Sequence, residues 1–358
     1  MKRIAKVLIT LVLIGCGTAD RNTGQQVNNT TEKRIKLVRN NKEKKVDVFI
    51  DNTFFTSYIY PESIKKPVLF PLTTASGLTL TRGFPLDPKP WERVDHPHQV
   101  GMWFNHGDVD GLDFWNNSDS IPANRRPHYG TIIHKSIENV KNGDESGYLE
   151  VSAEWKRPDG RVILDENTEY YFRGTDETRI IDRITTLTAK GLNILFKDSK
   201  EGMLGIRVTR AMELPDENRI EVLNEELVPV VVNGMEGNRS RGHYLNSEGI
   251  EGGGVWGQRA RWVRLGSVIG GQKVGIIIMD HPGNPNYPAH WHARGYGLFA
   301  VNPFGDQAYT EGKEVLNFFL RANESVTFKY RIYIYNNTEP GDSAINLEYE
   351  KFSQMFNK

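Results

Sequence analysis

Short runs of β-branched and aromatic residues recur from residue 35 onward and constrain the fold more than any other feature. Within residues 149–154, Leu, Val and Ala alternate with Glu, Ser and Glu, which is the period-two pattern of a half-buried strand. Asp159-Gly160 between two such runs is a tight-turn signal. Helical periodicity is scarce, apart from a short C-terminal helix predicted over residues 343–356. The pattern therefore predicts an all-β fold, a large antiparallel β-sandwich of two extended sheets.

The N-terminus has the organisation of an export signal. A basic start at residues 1–3 precedes a short apolar run that ends in the sequence LIGC. Cys16 is the only cysteine and stands where a bacterial lipobox has its lipidated residue, although an ordinary signal peptide that contains a cysteine is the alternative. We therefore expect a lipoprotein signal peptide (1–16), a flexible tether (17–33) and a single β-sandwich domain (34–358). The protein would be anchored at the periplasmic face of a bacterial membrane. Exposure at the cell surface is the alternative location.

Charge and missing motifs exclude several classes of function. The 45 basic and 45 acidic residues leave no net charge that would attract nucleic acid, and the membrane contact expected is the lipidated Cys16 alone. The sequence contains no glycine-rich dinucleotide loop before a helix, no phosphate loop and no Gly-x-Ser-x-Gly motif. These absences argue against nucleotide cofactors and serine hydrolases. Residues 215–254, long, polar and glycine-rich, are interpreted either as a mobile lid or as a disordered insertion.

Two distant stretches, residues 95–115 and 280–305, have the same unusual composition. Each opens with Asp-His-Pro and carries His-x-His close to Trp and Gly, in a chain with nine histidines in total. A large β-sandwich can bring such distant loops together on one face or at one end. We predict that the two stretches meet and line one site.

The histidines allow three interpretations that the spacing does not separate. His96 and His98 point to one face of an extended segment, where they could bind a divalent metal together with His292. They could instead act as general acid and base, or simply bond to loop backbone. The candidate metal ligands are His96, His98 and His292. The candidate catalytic residues are His98, His106, His292 and Lys200.

Aromatic and polar residues near these stretches suit a sugar or sugar-acid ligand. Tryptophan rings can stack on the C–H face of a sugar, although core packing is the alternative for each of them. Arg259 and Arg261, which would lie on one strand face, could clamp a carboxylate. The candidate substrate-binding residues are Trp103, Asp108, Trp115, Arg259, Arg294, Tyr296 and Asn302.

Several motifs together resemble one bacterial family. They are His106-Gly107-Asp108, Lys200-Glu201-Gly202, Trp256-Gly257, Trp291-His292-Ala293-Arg294 and Asn302-Pro303-Phe304-Gly305, with the two Asp-His-Pro sequences. In this combination the chain resembles the family labelled "methane oxygenase PmoA-like". The resemblance implies an exported protein that occurs among sugar-degradation proteins and has a galactose-mutarotase-like β-supersandwich. This chain departs from the family's pattern at Gln99, where the family has a second histidine, and at His290, which is an extra one.

These features predict an exported carbohydrate-active protein, an enzyme of the lyase, hydrolase or epimerase type. Its chemistry would be histidine acid/base or metal-assisted, and a divalent metal is the one cofactor considered. A non-catalytic glycan-binding module is the alternative, and a metal-dependent oxygenase is a further one. The oxygenase label conflicts with the absence, after the export signal, of any apolar stretch long enough to span a membrane.

Overall fold

Strands dominate residues 33–357, the part of the chain that this computed structural model describes. In chain order they are β1 (Ile35–Asn40), β2 (Lys45–Ile50), β3 (Thr53–Ile59), β4 (Val68–Leu69), β5 (Met102–Phe104), β6 (Thr131–Lys141), β7 (Gly147–Lys156), β8 (Val162–Gly174), β9 (Thr178–Ala189), β10 (Ile194–Phe196), β11 (Leu204–Arg207), β12 (Arg219–Leu223), β13 (Pro229–Asn233), β14 (His243–Asn246), β15 (Trp262–Ile269), β16 (Gln272–Asp280), β17 (His290–Ala293), β18 (Leu298–Asn302), β19 (Phe318–Leu320) and β20 (Ser325–Asn336). The α-helices in this part of the chain are α1 (Asp306–Tyr309) and α2 (Asp342–Ser353). The second of them confirms the predicted C-terminal helix, and neither is long and apolar enough to cross a membrane.

The strands form two eight-stranded sheets with antiparallel pairing throughout. The first sheet has the order β1-β2-β3-β4-β5-β11-β18-β17, and the second has the order β14-β15-β16-β20-β9-β8-β7-β6. Two short ribbons, β10-β19 and β12-β13, are separate from them. The prediction of an all-β antiparallel sandwich is confirmed.

The core lies between the facing surfaces of the two sheets. The ring of Phe55 on β3 meets that of Phe172 on β8 at 6.3 Å between centroids. Phe104 on β5 meets Phe328 on β20 at 5.4 Å. All four rings are almost completely buried, so the sandwich is held mainly by the removal of apolar surface from water.

The two outer faces are covered differently. Helix α2 packs Ile345, Tyr349 and Phe352 against the outer side of the second sheet, where Ile277 and Met279 complete a small apolar cluster. The outer face of the first sheet carries several of the polar residues that the sequence singled out. Loops before β5, after β10 and between β17 and β18 border this face.

The segment 215–254 is not a disordered insertion. Residues 219–223 pair with residues 229–233 in the hairpin β12-β13, and β14 joins the edge of the second sheet beside β15. That part of the earlier interpretation is wrong, because the valines of β13 supply strand-forming residues that its polar flanks obscure. A lid role stays a prediction. The signal peptide, Cys16 and the tether up to residue 32 lie outside the described residues, so the predicted boundaries also stay predictions.

Candidate functional site

One row of residues crosses the outer face of the first sheet. Trp103 on β5 is paired with Gly205 on β11, Gly205 with Ala300 on β18, and Ala300 with His292 on β17. Directly paired residues of antiparallel strands point to the same face, so the indole and the imidazole share this surface. A side chain at position 205 would begin 2.6 Å from the Trp103 ring, so glycine allows the indole to lie across the sheet. The register of four strands thus places the two histidine-bearing stretches on one surface.

Two buried arginines fix the loop that carries His96 and His98. Arg82 donates to the backbone oxygens of Arg93, Asp95, His96 and Gln99 and to the Asp95 carboxylate. Arg207 donates to the Asp95 carboxylate at 2.6 Å and to the Gln99 side chain at 2.6 Å. These contacts hold His96 in the left-handed region (φ 45°), a conformation that costs about 1 kcal/mol or more for a residue other than glycine. The position of His96 is therefore imposed by a built framework.

Asp95 is the centre of this framework. Burial alone would raise its pKa, but the hydrogen bond from His96 and the charges of Arg207 and Arg82 hold the pKa well below its usual range. Its Oδ2 lies 3.0 Å from the Nδ1 of His96. The carboxylate is thus committed to orienting the loop.

The two stretches meet directly at His96 and Tyr296. Their rings are stacked with centroids 5.1 Å apart and planes 2° apart. The guanidinium of Arg207 lies 4.8 Å from the centre of the Tyr296 ring. The guanidinium of Arg294 lies 5.8 Å from the centre of the same ring. Residues far apart in the sequence therefore share one continuous surface, which we call the outer-face site and define by His96, Lys200, His292, Arg294 and Tyr296.

His292 forms the floor of the outer-face site. Its side chain is 5% exposed, and its Nδ1 has no hydrogen-bond partner among the described residues. Burial, followed by the charges of Arg294 and Lys200, lowers the pKa of His292 to about 3. The ring is therefore neutral at physiological pH, and one nitrogen can accept a proton.

Cationic and aromatic side chains surround this floor. Lys200 is exposed and its Nζ lies 3.5 Å from Oε1 of Glu201, whose pKa is raised by burial. Arg294 is exposed and lies 5.8 Å from the Trp256 ring. Trp256 in turn contacts Tyr309, which lies against His292 with a centroid distance of 6.2 Å. An anionic ligand with an apolar ring face is suited to such a surface.

His98 lies beside this surface. Its ring is 5.6 Å from that of His96, and its Nε2 is buried without a hydrogen-bond partner in the part of the chain that the structure describes. Burial and the charge of Lys66 lower its pKa to about 2. His98 is thus a second neutral imidazole, in contact with the site through His96.

His106 and Asn302 lie behind the site and hold the loop that carries Lys200. The His106 ring is fully buried between Phe196 and Phe304, and its Nε2 is 2.7 Å from the carbonyl of Lys197. Asn302 is also buried and donates to the carbonyl of Ser199 at 2.8 Å. Both therefore suit a positioning role, and a catalytic role for His106 would require its burial to be relieved.

The other predicted substrate ligands are engaged within the protein. Trp103 and Trp115 are 0% and 1% exposed and pack edge to face, so neither ring face is open to a sugar. Asp108 accepts a bond from the backbone of Gly111, as turn-forming aspartates do. Arg259 donates to the carbonyl of Pro288 and to other acceptors nearby. Of the predicted substrate ligands, Arg294 and Tyr296 are thus the ones placed at the outer-face site.

The residues present do not fit the predicted divalent metal. In residues 33–357 no group of three or more His, Cys, Asp or Glu side chains is arranged to hold a metal ion. His96, His98 and His292 are not such a group, and the Nδ1 of His96 is engaged with Asp95 at 3.0 Å. The predicted metal ligation by these three histidines is not supported.

Sequence reasoning did not select Lys66, Arg82, Arg207 or Tyr309. Each is a single residue without a repeated pattern, and each gains its place through contacts with distant strands. Tyr309, for example, donates to the carbonyl of Lys200, 109 residues away, at 2.6 Å. A buried arginine inside an apolar strand, as in the LGIR run of β11, is the one signal that was visible.

Comparison with known proteins places the chain by family. Residues 45–347 match the model of a family described as a family of unknown function, DUF6807. The resemblance to a methane oxygenase PmoA-like family is therefore wrong. No curated protein sequence matches the chain.

Solved structures similar to the chain include sugar-related proteins. A galactose mutarotase-like protein from Clostridium acetobutylicum has a TM-score of 0.40 and 10% identity, covering 85% of this chain and 99% of that one. A putative aldose 1-epimerase from Escherichia coli K12 has a TM-score of 0.35 and 10% identity, covering 84% and 98%. The galactosidase domain of an α-galactosidase-sucrose kinase has a TM-score of 0.38 and 10% identity; the match covers 84% of this chain and 41% of that one. At these scores and identities, the activity of this chain does not follow from the similarities.

Proposed function

This chain belongs to the family of unknown function DUF6807, and on the geometry of its outer-face site we propose that it is an enzyme acting on a sugar-acid derivative. The observation that carries the proposal is His292, a neutral imidazole with a partnerless Nδ1, lying between Lys200 and Arg294. The two cations bind the ligand's carboxylate, and the rings of Tyr296 and Trp256 face its apolar side. His292 then accepts a proton from the carbon next to that carboxylate, a step in which the ligand must displace the side chains that bury Nδ1.

Ligand binding supplies the basicity that the free site lacks. In the unliganded protein the charges of Arg294 and Lys200 contribute to the low pKa of His292. A bound carboxylate offsets those charges, and its negative field raises the pKa of the imidazole. The same cations stabilise the negative charge that develops on the carboxylate when the proton leaves. Return of a proton to the other side of the carbon gives an epimer, and loss of a group from the neighbouring carbon gives a lyase product.

The carboxylates near the site favour this chemistry over hydrolysis. Glycosidic hydrolysis commonly needs two carboxyl groups, one as acid and one as base or nucleophile. Glu201 lies beside Lys200, but Asp95 is held by Arg82 and Arg207. An epimerase or lyase is therefore our leading proposal among the three enzyme types.

The test is exchange of the substrate's carbon-bound hydrogen with solvent. Uronic-acid monosaccharides and oligosaccharides are incubated with the protein in D₂O, and deuterium at the carbon next to the carboxylate is followed by NMR. We expect exchange with at least one member of the panel, and His292→Ala should lower its rate at least 100-fold. His243→Ala is the matched control, because this exposed histidine lies on β14 of the second sheet and should leave the rate unchanged.

A glycan-binding module is the second candidate, and the flat His96–Tyr296 stack favours it. Binding of a sugar without exchange, turnover or dependence on His292 would replace the enzyme by this module. We also propose export and lipid anchoring; their support is the lipobox sequence around Cys16.

A further inference from the structure

A second cleft opens at the seam between the two sheets, and one of its lining residues, Lys66, has its ammonium group 5.5 Å from the centre of the Trp103 ring. It has a volume of about 570 Å³ and is lined by residues that include Tyr60, Lys65, Lys66, Asn117, Arg126 and His134. We call it the seam cleft. It lies where the connection between β3 and β4 meets β6, the edge strand of the second sheet, and the backbone of Ile132 donates to the carbonyl of Lys65 there. Volumes of this size are typical of small-ligand sites in proteins.

A stacked aromatic pair forms one side of the seam cleft. The rings of Tyr60 and His134 are 3.8 Å apart with planes 30° apart. The hydroxyl of buried Tyr58 lies 3.0 Å from Nδ1 of His134 and fixes its orientation. Ile133 also lines the cleft and is 45% exposed. The wall therefore offers a fixed apolar surface to a ligand ring.

The charges around the seam cleft are unbalanced. Lys44 is paired with Glu62, and Lys65 is paired with Asp119. Arg126 and Lys66 have no carboxylate within ion-pair distance in the part of the chain that the structure describes. Four basic side chains thus face two acidic ones, which leaves a surplus of positive charge in the cleft.

Of the two unpaired cations, Lys66 is the one that is buried. Its side chain is 4% exposed, and its Nζ donates to the carbonyl of His98 at 2.7 Å. An ammonium group so far removed from water, with no ion-pair partner, is costly to keep charged, and burial lowers its pKa to about 7. The charge of Asp113 offsets part of this cost, and a ligand anion in the cleft would add a further countercharge.

We propose that the seam cleft is a second ligand site, which binds a carboxylate-bearing sugar of about disaccharide size. The carboxylate pairs with the exposed Arg126, the charge of buried Lys66 adds to the attraction, and the sugar ring lies against Tyr60 and His134. The amide nitrogen of Asn117 already donates to the carbonyl of Gly130 and to Thr131, so the lining offers the sugar's hydroxyls the amide oxygen of Asn117 and the hydroxyls of Ser118 and Thr131. The proposal goes beyond the enzymatic one, since this site requires no chemistry at His292.

Binding of a uronic-acid disaccharide to the whole protein tests the site. The affinity is measured by calorimetry, and the location is read from amide hydrogen-exchange protection at residues 60–67 and 126–134. We expect protection there, and Arg126→Ala should weaken binding at this location at least about tenfold. Ile133→Trp, which fills the cleft from an exposed edge-strand position, should abolish it. Arg321→Ala is the matched control, because this exposed arginine lies between β19 and β20, outside the lining, and should have no effect.

Two further arms identify the ligand and separate the two sites. A neutral disaccharide and benzoate should each bind at least tenfold more weakly than the uronic-acid disaccharide. Arg294→Ala should leave the protection at the seam cleft unchanged even if it removes binding at the outer-face site. Absence of protection at the seam cleft, or unchanged binding there by Arg126→Ala and Ile133→Trp, would overturn the proposal. Equal binding of benzoate would overturn the assignment to sugars.

Discussion

Single buried residues fix the loop that brings His96 to the outer-face site. Arg82 satisfies five acceptors in the loop that carries His96, and its side chain is 1% exposed. Arg207, fully buried, binds the same carboxylate from the neighbouring strand. A charge buried in this way stabilises the fold only while its partners are present. The framework should therefore be sensitive to the loss of one member.

The first prediction at this scale concerns Arg82. Arg82→Met should lower the free energy of unfolding by about 3 kcal/mol, because it removes the Arg82 donor from four backbone carbonyls and leaves Asp95 with fewer donors. Urea denaturation measures the change. Arg157→Met is the control, since Arg157 pairs with Asp110 at a half-exposed position and its loss should cost less than about 1 kcal/mol. Equal costs in the two variants would contradict the proposed framework.

The second prediction concerns the protonation of His106. Burial lowers its pKa to about 4, below the ordinary value of 6.5, so the unfolded chain binds more protons than the folded one between these pH values. The stability that neutral His106 contributes is therefore fully present above pH 6.5 and is lost as the pH falls towards 4. The stability advantage of the wild type over His106→Gln should shrink by about 2 kcal/mol between pH 7 and pH 4.5. Urea unfolding at both pH values measures this, and a constant difference would show that His106 is not buried in neutral form.

At the scale of elements, the loop between β10 and β11 depends on groups from three other segments. His106, Asn302 and Tyr309 each bond to a backbone carbonyl of residues 197–200. Gly202 lets this loop approach closely, because a side chain there would begin 2.6 Å from Nδ1 of His106. The position of Lys200 is thus set by side chains that do not themselves reach the ligand.

A conservative change at Tyr309 tests this dependence. Tyr309→Phe removes the hydroxyl that donates to the carbonyl of Lys200, so amide exchange at residues 199–202 should quicken about fivefold, the equivalent of one hydrogen bond. The KM for the substrate should rise while kcat changes less, because Lys200 binds and does not accept the proton. Tyr333→Phe, on β20 of the second sheet, is the control. Unchanged exchange in Tyr309→Phe would show that the loop is held without this bond.

The elements also show what the sequence could and could not predict. Strand β7 was predictable because apolar and polar residues alternate in its sequence. In the structure the same residues alternate between buried and half-buried. The meeting of the two histidine stretches was predictable from their shared composition, and the His96–Tyr296 stack bears it out. Lys66 and Tyr309 were not, because a lone lysine or tyrosine carries no periodicity and acquires its environment only from distant strands. The burial of Trp103 and Trp115 was equally hidden, since composition does not show which face of a short strand is covered.

For the whole molecule, the two sheets have different tasks. Helix α2 covers the outer side of the second sheet, while the first sheet presents the outer-face site. The chain has no net charge, so no long-range electrostatic attraction would bring a charged ligand to either site. Recognition would then depend on local cations at each site.

The prediction at this scale concerns attachment to the membrane. Cys16→Ser should move the protein from the membrane fraction to the soluble fraction, because a lipidated cysteine would be its anchor. The far-ultraviolet circular dichroism should remain β-dominated, since residue 16 precedes the described sandwich. Fractionation of cells that express the two forms measures the change. A variant that is processed normally and still stays with the membrane would contradict the lipoprotein assignment.

The strand order of the first sheet has a consequence for how the protein folds. β5, β11 and β18 are adjacent in space, yet each is roughly one hundred residues from the next along the chain, and contacts of such long range form slowly because each requires closure of a large loop. The hairpins of the second sheet, in contrast, join strands that follow one another in sequence. The ligand-facing surface would thus be among the last parts to assemble during refolding, and recovery of its function would trail the recovery of secondary structure.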